Sequence, residues 1–416
     1  MTQTETAKNA VTSAYAVKHS YGYDRTGNLT HSTDQRTGTT RFEYDKLGRI
    51  TKAGNEVFAF DPAHNILSDH NSPTVPDNRL KTYNGSSYYY DHFGNLIHRE
   101  LANGEVQNYF YDLHDQLVKA EIFKKDGTKE TWAYTYDALG RRIGKGRLKN
   151  EEVSDGLEEE TGFVWDGSHL LQEVQPDGRY TYIYTDPDSY EPLAQVRNWT
   201  NEDGESRQQT HYFHCDQIGI SREMTDKDGN LVWFGNYTGW GRLKEETRLT
   251  NSAYQPFRLQ NQYADRETGL HYNFFRYYEP DAGRFINQDP MKYLGGANFY
   301  TYAFNITSWV DYLGLNPFKI YSRLRQIFNK ANKRSKKPDK RDQEYQLAKR
   351  FCDTPVPPQA SRCATLSAQI NHAKRCIELY TNWDRKWQPG RHTIKINDWK
   401  NRLNVLKEKA KAECSR

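Results

Sequence analysis

Tyr23-Asp24-Arg25-Thr26-Gly27-Asn28-Leu29 is one full unit of the pattern that decides the fold: an aromatic–Asp pair, then Gly or Asn, then an aliphatic residue. The unit returns at Tyr44-Asp45-Lys46-Leu47-Gly48-Arg49-Ile50, at Tyr90-Asp91-His92-Phe93-Gly94-Asn95-Leu96 and at Tyr136-Asp137-Ala138-Leu139-Gly140-Arg141. Degenerate copies begin at Phe60-Asp61, Tyr111-Asp112 and Trp165-Asp166. Within each unit the Asp can accept backbone hydrogen bonds across a turn, while Gly or Asn supplies a positive φ. The flanking stretches Arg41-Phe42-Glu43-Tyr44 and Tyr109-Phe110-Tyr111 alternate by face, as strands do. Each copy therefore reads as strand–turn–strand, and such a unit buries its aromatic face by stacking on its neighbour. Asp126-Gly127, Asp177-Gly178 and Asp228-Gly229 read as further hairpin turns. The acidic, Gly-flanked stretch Val153 to Gly162 reads as a solvated loop.

Composition agrees with two-faced, partly wet strands. The 416 residues include 30 Tyr but 3 Met, and the aromatic share of 14% stands beside a hydrophobic share of only 36%. The mean hydropathy is −1.00. Tyrosine covers a strand face with apolar area and still hydrogen-bonds at its tip, and the regular aromatic spacing argues against disorder. The length suits two or more domains. No stretch approaches the ~18 apolar residues of a membrane span, so stable membrane insertion is not expected. The first twenty residues lack an apolar signal core, so export by a route without a cleavable signal is expected, from a cytoplasmic starting point.

After Leu315 the pattern changes. Residues 316–416 carry 25 Lys and Arg against 9 Asp and Glu, a net +16, while residues 1–315 carry 33 against 45, a net −12. Such asymmetry points to separate functions and to mutual attraction. Lys319 to Phe328 has apolar residues at helical spacing, and Asn332 to Lys340 reads as a basic linker. Cys363 to Tyr380 and Asp398 to Ala412 read as amphipathic helices with Leu366, Ile370, Ile377, Leu403 and Leu406 as core positions. Pro355-Val356-Pro357-Pro358 separates helices. Cys352, Cys363, Cys376 and Cys414 form no CxxC pair, which speaks against a zinc knuckle; two disulfides after export and four reduced, partly buried thiols both remain open. No HExxH, Walker loop or GxSxG occurs in the tail, and neither a metal nor another cofactor is expected.

The segment Arg276 to Leu315 carries a dense set of residues at fixed offsets. They are Arg276-Tyr277-Tyr278, Gly283-Arg284-Phe285, Gln288-Asp289-Pro290, Gly295-Gly296, Asn298, Tyr300, Tyr302, Asn305 and Asp311-Tyr312-Leu313-Gly314-Leu315. Gln262-Tyr263 and Glu267-Thr268-Gly269-Leu270 lead into it. It resembles the terminal signature of the RHS-repeat-associated core, where a YD-repeat β-cage ends and a variable effector begins. The aromatic–Asp repeats likewise resemble the YD repeats of RHS and teneurin-like shells. Tyr212-Phe213-His214-Cys215-Asp216 and Gly239-Trp240-Gly241-Arg242 resemble late parts of that core. Two positions depart from the family: Lys292 stands where it usually has Gly, and Tyr312 where it usually has Pro.

The resemblance implies a mostly β fold, a YD-repeat cage fragment of stacked hairpins, followed by a small, mainly α-helical C-terminal domain. Residues 1–260 are expected to form the shell, 261–315 the core plug, and 316–416 the toxin tail. A complete RHS cage needs a longer chain than these 315 residues. In the family the aspartates matching Asp289 and Asp311 act as an intramolecular aspartyl protease that cuts after the residue matching Leu315, leaving Asn316 first. Two close carboxylates cannot both ionise cheaply, so one holds a proton while the other activates water; the plainer alternative is that both anchor turns. Lys292 is positioned to lower the Asp289 pKa.

The tail is weakly similar to a helical, predicted toxin family found after RHS cores, around Arg362-Cys363-Ala364-Thr365-Leu366, Trp383-Asp384-Arg385-Lys386-Trp387 and Gly390-Arg391-His392. Nuclease chemistry is the expectation there: His392 as acid or base, Arg391 as phosphate clamp and Asp384 orienting, with His372 also available. The plainer alternative for both histidines is a surface or core-edge role. Basic residues interleaved with Tyr321, Phe328, Tyr345, Phe351, Tyr380, Trp383, Trp387 and Trp399 fit nucleic acid, RNA ahead of DNA. Expected partners are a cognate immunity protein and a secretion machinery such as type VI. The alternatives are a YD-repeat adhesion protein and a membrane-acting toxin without nuclease activity.

Overall fold

The computed structural model describes residues 2–8, 15–68, 74–151, 156–292, 296–315, 318–319, 340–354, 356–357 and 359–414. The chain divides into two compact units, Met1–Tyr321 and Ser322–Arg416. The first is mostly β. Six strands from Thr2–Lys8 to Glu56–Val57 form one sheet and fifteen from Thr82–Tyr83 to Leu243–Arg248 form another, each in strict sequence order. Every pairing among them is antiparallel between neighbours in the chain, as short turns require.

The repeat unit explains this meander. Asp24 Oδ1 accepts from the backbone N–H of Thr26 (2.8 Å) and Asn28 (2.9 Å), and Gly27 takes φ 84°. Asp45, Asp112, Asp137, Asp216 and Asp226 accept from the residues two and four further on in the same way. A register shift falls at the aromatic residue before each turn, as at Tyr23↔Leu29, Tyr111↔Leu117 and Tyr136↔Arg142. The next repeat's aromatic then donates to the carbonyl at that shift. Tyr44 bonds Leu29 O (2.8 Å), Tyr111 bonds Leu96 O (2.8 Å), Tyr136 bonds Leu117 O (2.7 Å), and the Trp165 indole bonds Arg142 O (2.7 Å). Tyr184 and Tyr237 repeat the latch on Leu170 O and Ser221 O. Cys215 stands in the tyrosine position of its unit, its Sγ 3.7 Å from Pro192 O. The aromatic therefore both packs the core and pairs a carbonyl that the shift displaces from the ladder.

The fifteen-stranded sheet turns buried aromatic side chains, and the six-stranded sheet Ile50, Ala53 and the partly buried Phe42 and Tyr44, onto the segment from Ala253 to Tyr312, which carries a four-stranded sheet of its own, Tyr263–Ala264 to Arg284–Phe285. Buried ion pairs tie that segment to the shell. Arg142 meets Asp265 at 2.6 Å, Lys145 meets Glu267 at 2.8 Å and Asp265 at 3.1 Å, and Arg99 meets Glu279. Breaking one partner of such a pair leaves an uncompensated buried charge, which costs about 3–5 kcal/mol.

The expected loop Val153 to Gly162 is strand from Leu157 onward, because Arg147 pairs with Glu158 and Lys145 with Thr161 on the neighbouring strand; residues 152–155 lie outside the described residues. Phe318–Lys319 is a short strand paired with Trp309–Val310, not the start of a helix; the rest of that helical reading, the linker at 332–339, and Tyr321 and Phe328 lie outside the described residues.

The second unit holds three described helices, α1 (Lys340–Asp353), α2 (Arg362–Trp387) and α3 (Thr393–Cys414). Ser361 caps α2, its hydroxyl accepting from the Ala364 N–H. Disulfides join Cys352 to Cys376 and Cys363 to Cys414, resolving the choice that spacing left open. The core is Cys352, Cys376 and Tyr380, flanked by Tyr345, Leu379, Ile396 and Trp399. Of the expected core residues only Leu366 is buried; Ile370, Ile377, Leu403 and Leu406 are half-buried because the aromatic and cystine side chains occupy the centre. Tyr380 and Trp383 are likewise buried and cannot stack on bases, whereas Phe351 and Trp387 are exposed. No described helix is long and apolar enough to cross a membrane.

Candidate active site

Asp289 and Asp311 come together, both buried, on a third group. Arg276, fully enclosed, places one guanidinium nitrogen 3.1 Å from Asp289 Oδ2 and 3.4 Å from Asp311 Oδ2. Its other nitrogens donate to Phe299 O (3.0 Å) and Gly314 O (2.5 Å), and its plane lies over the Phe285 ring at 3.6 Å. The strand Arg276–Glu279 positions it, and Asn273 on the preceding strand donates to Asp311 O (2.9 Å).

The same cluster grips the chain just before the expected cut. Leu315 N–H donates to Asp311 Oδ1 (3.0 Å), so the Gly314–Leu315 peptide is held by Arg276 at its carbonyl and by Asp311 at its N–H. Phe275 N–H and Asn261 Nδ2 bond Leu313 O and Tyr312 O. Gly314 takes φ 68°, and a Cβ there would lie 2.9 Å from Asn273 O, so this approach needs glycine. Leu315 is half-buried; Asn316 lies outside the described residues.

Burial pushes the Asp289 carboxyl up, against the opposing pull of Arg276 and of the Met291 N–H, while Asp311 adds to the rise. Burial also pushes the Arg276 guanidinium down to about 10. Lys292 draws Asp289 downward only weakly, its ammonium lying 3.3 Å from Gln288 Oε1 instead. Lys292 adopts φ 52°, a left-handed conformation that glycine takes without strain. Tyr312 packs its ring on Tyr190 at 4.4 Å.

In the tail the structure joins His392 to Asp384 and leaves Arg391 apart. His392 Nδ1 lies 2.6 Å from Asp384 Oδ1, and its N–H donates to Asp384 Oδ2 at 2.9 Å. The imidazole stacks on Tyr345 and meets Tyr380 and Trp383 at 5.1 and 4.7 Å, leaving 7% of the residue exposed. Its carbonyl accepts from Ile396 N–H, making it the residue that starts α3. Arg391 is exposed. His372 lies elsewhere, bonded to Phe351 O (2.9 Å) and lining a cavity of about 670 Å³ with Trp399 and Arg402.

Arg276 and Asn273 were not singled out by sequence as site residues. The available signal was an arginine beside two tyrosines in a short strand: a charge in so apolar a setting is buried, and a buried charge needs partners.

The teneurin YD-shell family model matches residues 8–189 and the RHS protein model matches 210–247. The double-stranded DNA deaminase toxin A of Burkholderia cenocepacia (strain H111) is 39% identical over 315 residues, covering 71% of this chain and 22% of that protein. Toxin protein Tse5 of Pseudomonas aeruginosa is 29% identical over 350 residues, covering 68% of this chain and 26% of its own length. The chain thus spans about a quarter or less of these relatives. A crystal structure of TcdB2-TccC3-TEV covers 74% of this chain and 17% of its own at 19% identity, with a TM-score of 0.48.

Proposed function

This chain belongs to the RHS family of YD-repeat proteins, and from that premise we propose that its shell cuts its own chain after Leu315 and releases a toxic tail that acts on nucleic acid. The observation that carries the reading is the meeting of Asp289, Asp311 and Arg276 around the Gly314–Leu315 peptide. In the cut, water adds to the Leu315 carbonyl carbon. Asp311 takes a proton from that water, and protonated Asp289 delivers one toward the leaving Asn316 nitrogen, giving a Leu315 carboxylate and an Asn316 amine. Arg276 holds the preceding carbonyl in place and offsets negative charge as it develops. The raised Asp289 pKa supports its role as the acid.

The tail's charge of +16 supports phosphate contact, and both relatives named above are toxins. In the nuclease reading Asp384 fixes the His392 tautomer and Arg391 contacts phosphate from the surface. A cognate immunity protein, acidic to match the tail, and delivery by a secretion machinery such as type VI belong to the same proposal.

Expression of the whole chain tests the first step. A fragment of about a hundred residues whose N-terminal sequencing begins at Asn316 is expected, and Asp289→Asn or Asp311→Asn should abolish it. Persistence of the intact unmodified chain refutes the cut; a fragment beginning at Leu315 would move it to the peptide that Arg276 and Asp311 grip. Growth arrest by residues 316–416, with loss of cellular RNA or DNA, tests the second step. His392→Gln should relieve arrest while helix content is kept.

A further inference from the structure

We propose that His19, Asp34 and Glu223 form a divalent-metal site of the zinc class that clamps the two sheets of the shell. His19 lies on the strand Tyr15–Tyr23 and Asp34 ends the strand Leu29–Asp34, both in the six-stranded sheet. Glu223 lies on the strand Ser221–Thr225 of the fifteen-stranded sheet, 204 residues from His19. The two sheets share no strand pairing among the described residues, so this cluster is a place where side chains join them.

One donor atom from each residue lies within 4.8 Å of the others. His19 Nε2 stands 2.8 Å from Glu223 Oε1 and 3.0 Å from Asp34 Oδ2. The other ring nitrogen, Nδ1, is 2.9 Å from the Tyr21 hydroxyl. Without an ion, Nε2–H donates to the two carboxylates; an ion would replace that proton, with Nδ1–H turned to the Tyr21 hydroxyl, the arrangement by which outer partners orient a ligating histidine. Asp34 is fixed from behind, its Oδ1 accepting from Arg36 N–H (2.6 Å) and Thr37 N–H (3.0 Å), which leaves Oδ2 for a ligand.

Glu223 supplies the independent observation. The residue is only 2% exposed, and its Oε2 is buried without a hydrogen-bond partner. A buried carboxylate oxygen left unpaired is costly, and a divalent cation taking both oxygens satisfies it. A cavity of about 390 Å³ lined by His19, Asp34, Arg36 and Glu223 gives an ion a way in. Zinc bonds of about 2.0–2.2 Å to nitrogen and oxygen imply ligand separations of roughly 3.3 Å. Binding would widen the His19 separations from 2.8 and 3.0 Å to that value. The competing cation is Arg36, whose guanidinium bonds Glu223 Oε1; it is partly exposed and can withdraw along the Phe234 ring, 5.5 Å away. No sequence motif announces the site, because its ligands come from three strands.

The test uses the full chain, stripped with chelator and titrated with Zn²⁺ by calorimetry and with Co²⁺ by visible absorption. One equivalent of Zn²⁺ is expected, with a Co²⁺ spectrum lacking the thiolate charge-transfer band, and a rise in the shell's melting temperature. His19→Ala should remove binding. Tyr21→Phe should weaken it about 10–100-fold, the usual effect of losing an outer partner. Arg36→Gln should tighten it, because the rival cation is gone; if His19→Ala fails to fold, the Tyr21 and Arg36 variants carry the test. Absence of stoichiometric binding, binding unchanged in His19→Ala, a thiolate band, or weaker binding in Arg36→Gln each overturns the proposal.

Discussion

Reducing the two disulfides of the tail should unfold it, and the size of the effect follows from the loops they close. Cys352–Cys376 spans 24 residues and Cys363–Cys414 spans 51. Loop-closure entropy assigns about 3.5 kcal/mol to the first and about 4 kcal/mol to the second. The two loops overlap between Cys363 and Cys376, so the values do not simply add. Against them stands a small core: among the described residues its buried cluster is Cys352, Cys376 and Tyr380, and two of those three are the cystine itself. Units of fewer than a hundred residues bury too little surface to absorb such a loss. Hydrogen exchange on the full chain, read by mass spectrometry over Arg362–Trp387, measures it. Cys363→Ser with Cys414→Ser should speed the protected amides of α2 by about a thousandfold, and full reduction should remove their protection. Protection within tenfold of the oxidised protein under reductant would refute the argument and show that helix packing alone holds the tail.

Three further outcomes are expected. If Asp289 acts as the protonated acid, self-cleavage should slow as pH rises through its raised pKa; Lys292→Gln removes a charge that lowers that pKa, so the alkaline fall should move to higher pH in a pH–rate profile. Tyr111→Phe leaves the Leu96 carbonyl without its latch and should destabilise the shell by about 1 kcal/mol in a denaturant melt; an unchanged midpoint would refute the latch. Gly314→Ala forces a Cβ against Asn273 O and should cut the rate of self-cleavage at least as much as it lowers stability, compared by timed gels and thermal melts.

The β-meander was legible because its instructions are local. An Asp that bonds the residues two and four ahead, with Gly at positive φ between them, needs no distant partner, so Asp24, Asp45 and Asp137 revealed their turns from seven-residue stretches. The two long tail helices and the change of character after Leu315 were legible for the same reason, through periodicity and charge. The candidate pair Asp289 and Asp311 came from a family resemblance; the arginine beside Tyr277 and Tyr278 signalled a buried charge, but which carboxylates it would bridge was settled only by packing. Tertiary structure also decided which cysteines pair, that Asp384 holds His392 among Tyr345, Tyr380 and Trp383, and that His19 faces Glu223 across two sheets. Each of these depends on groups brought together by packing over tens to hundreds of residues. Hydrogen-bonded turns are written within a few residues of chain, whereas the partners of a buried charge are chosen only when the layers close over it.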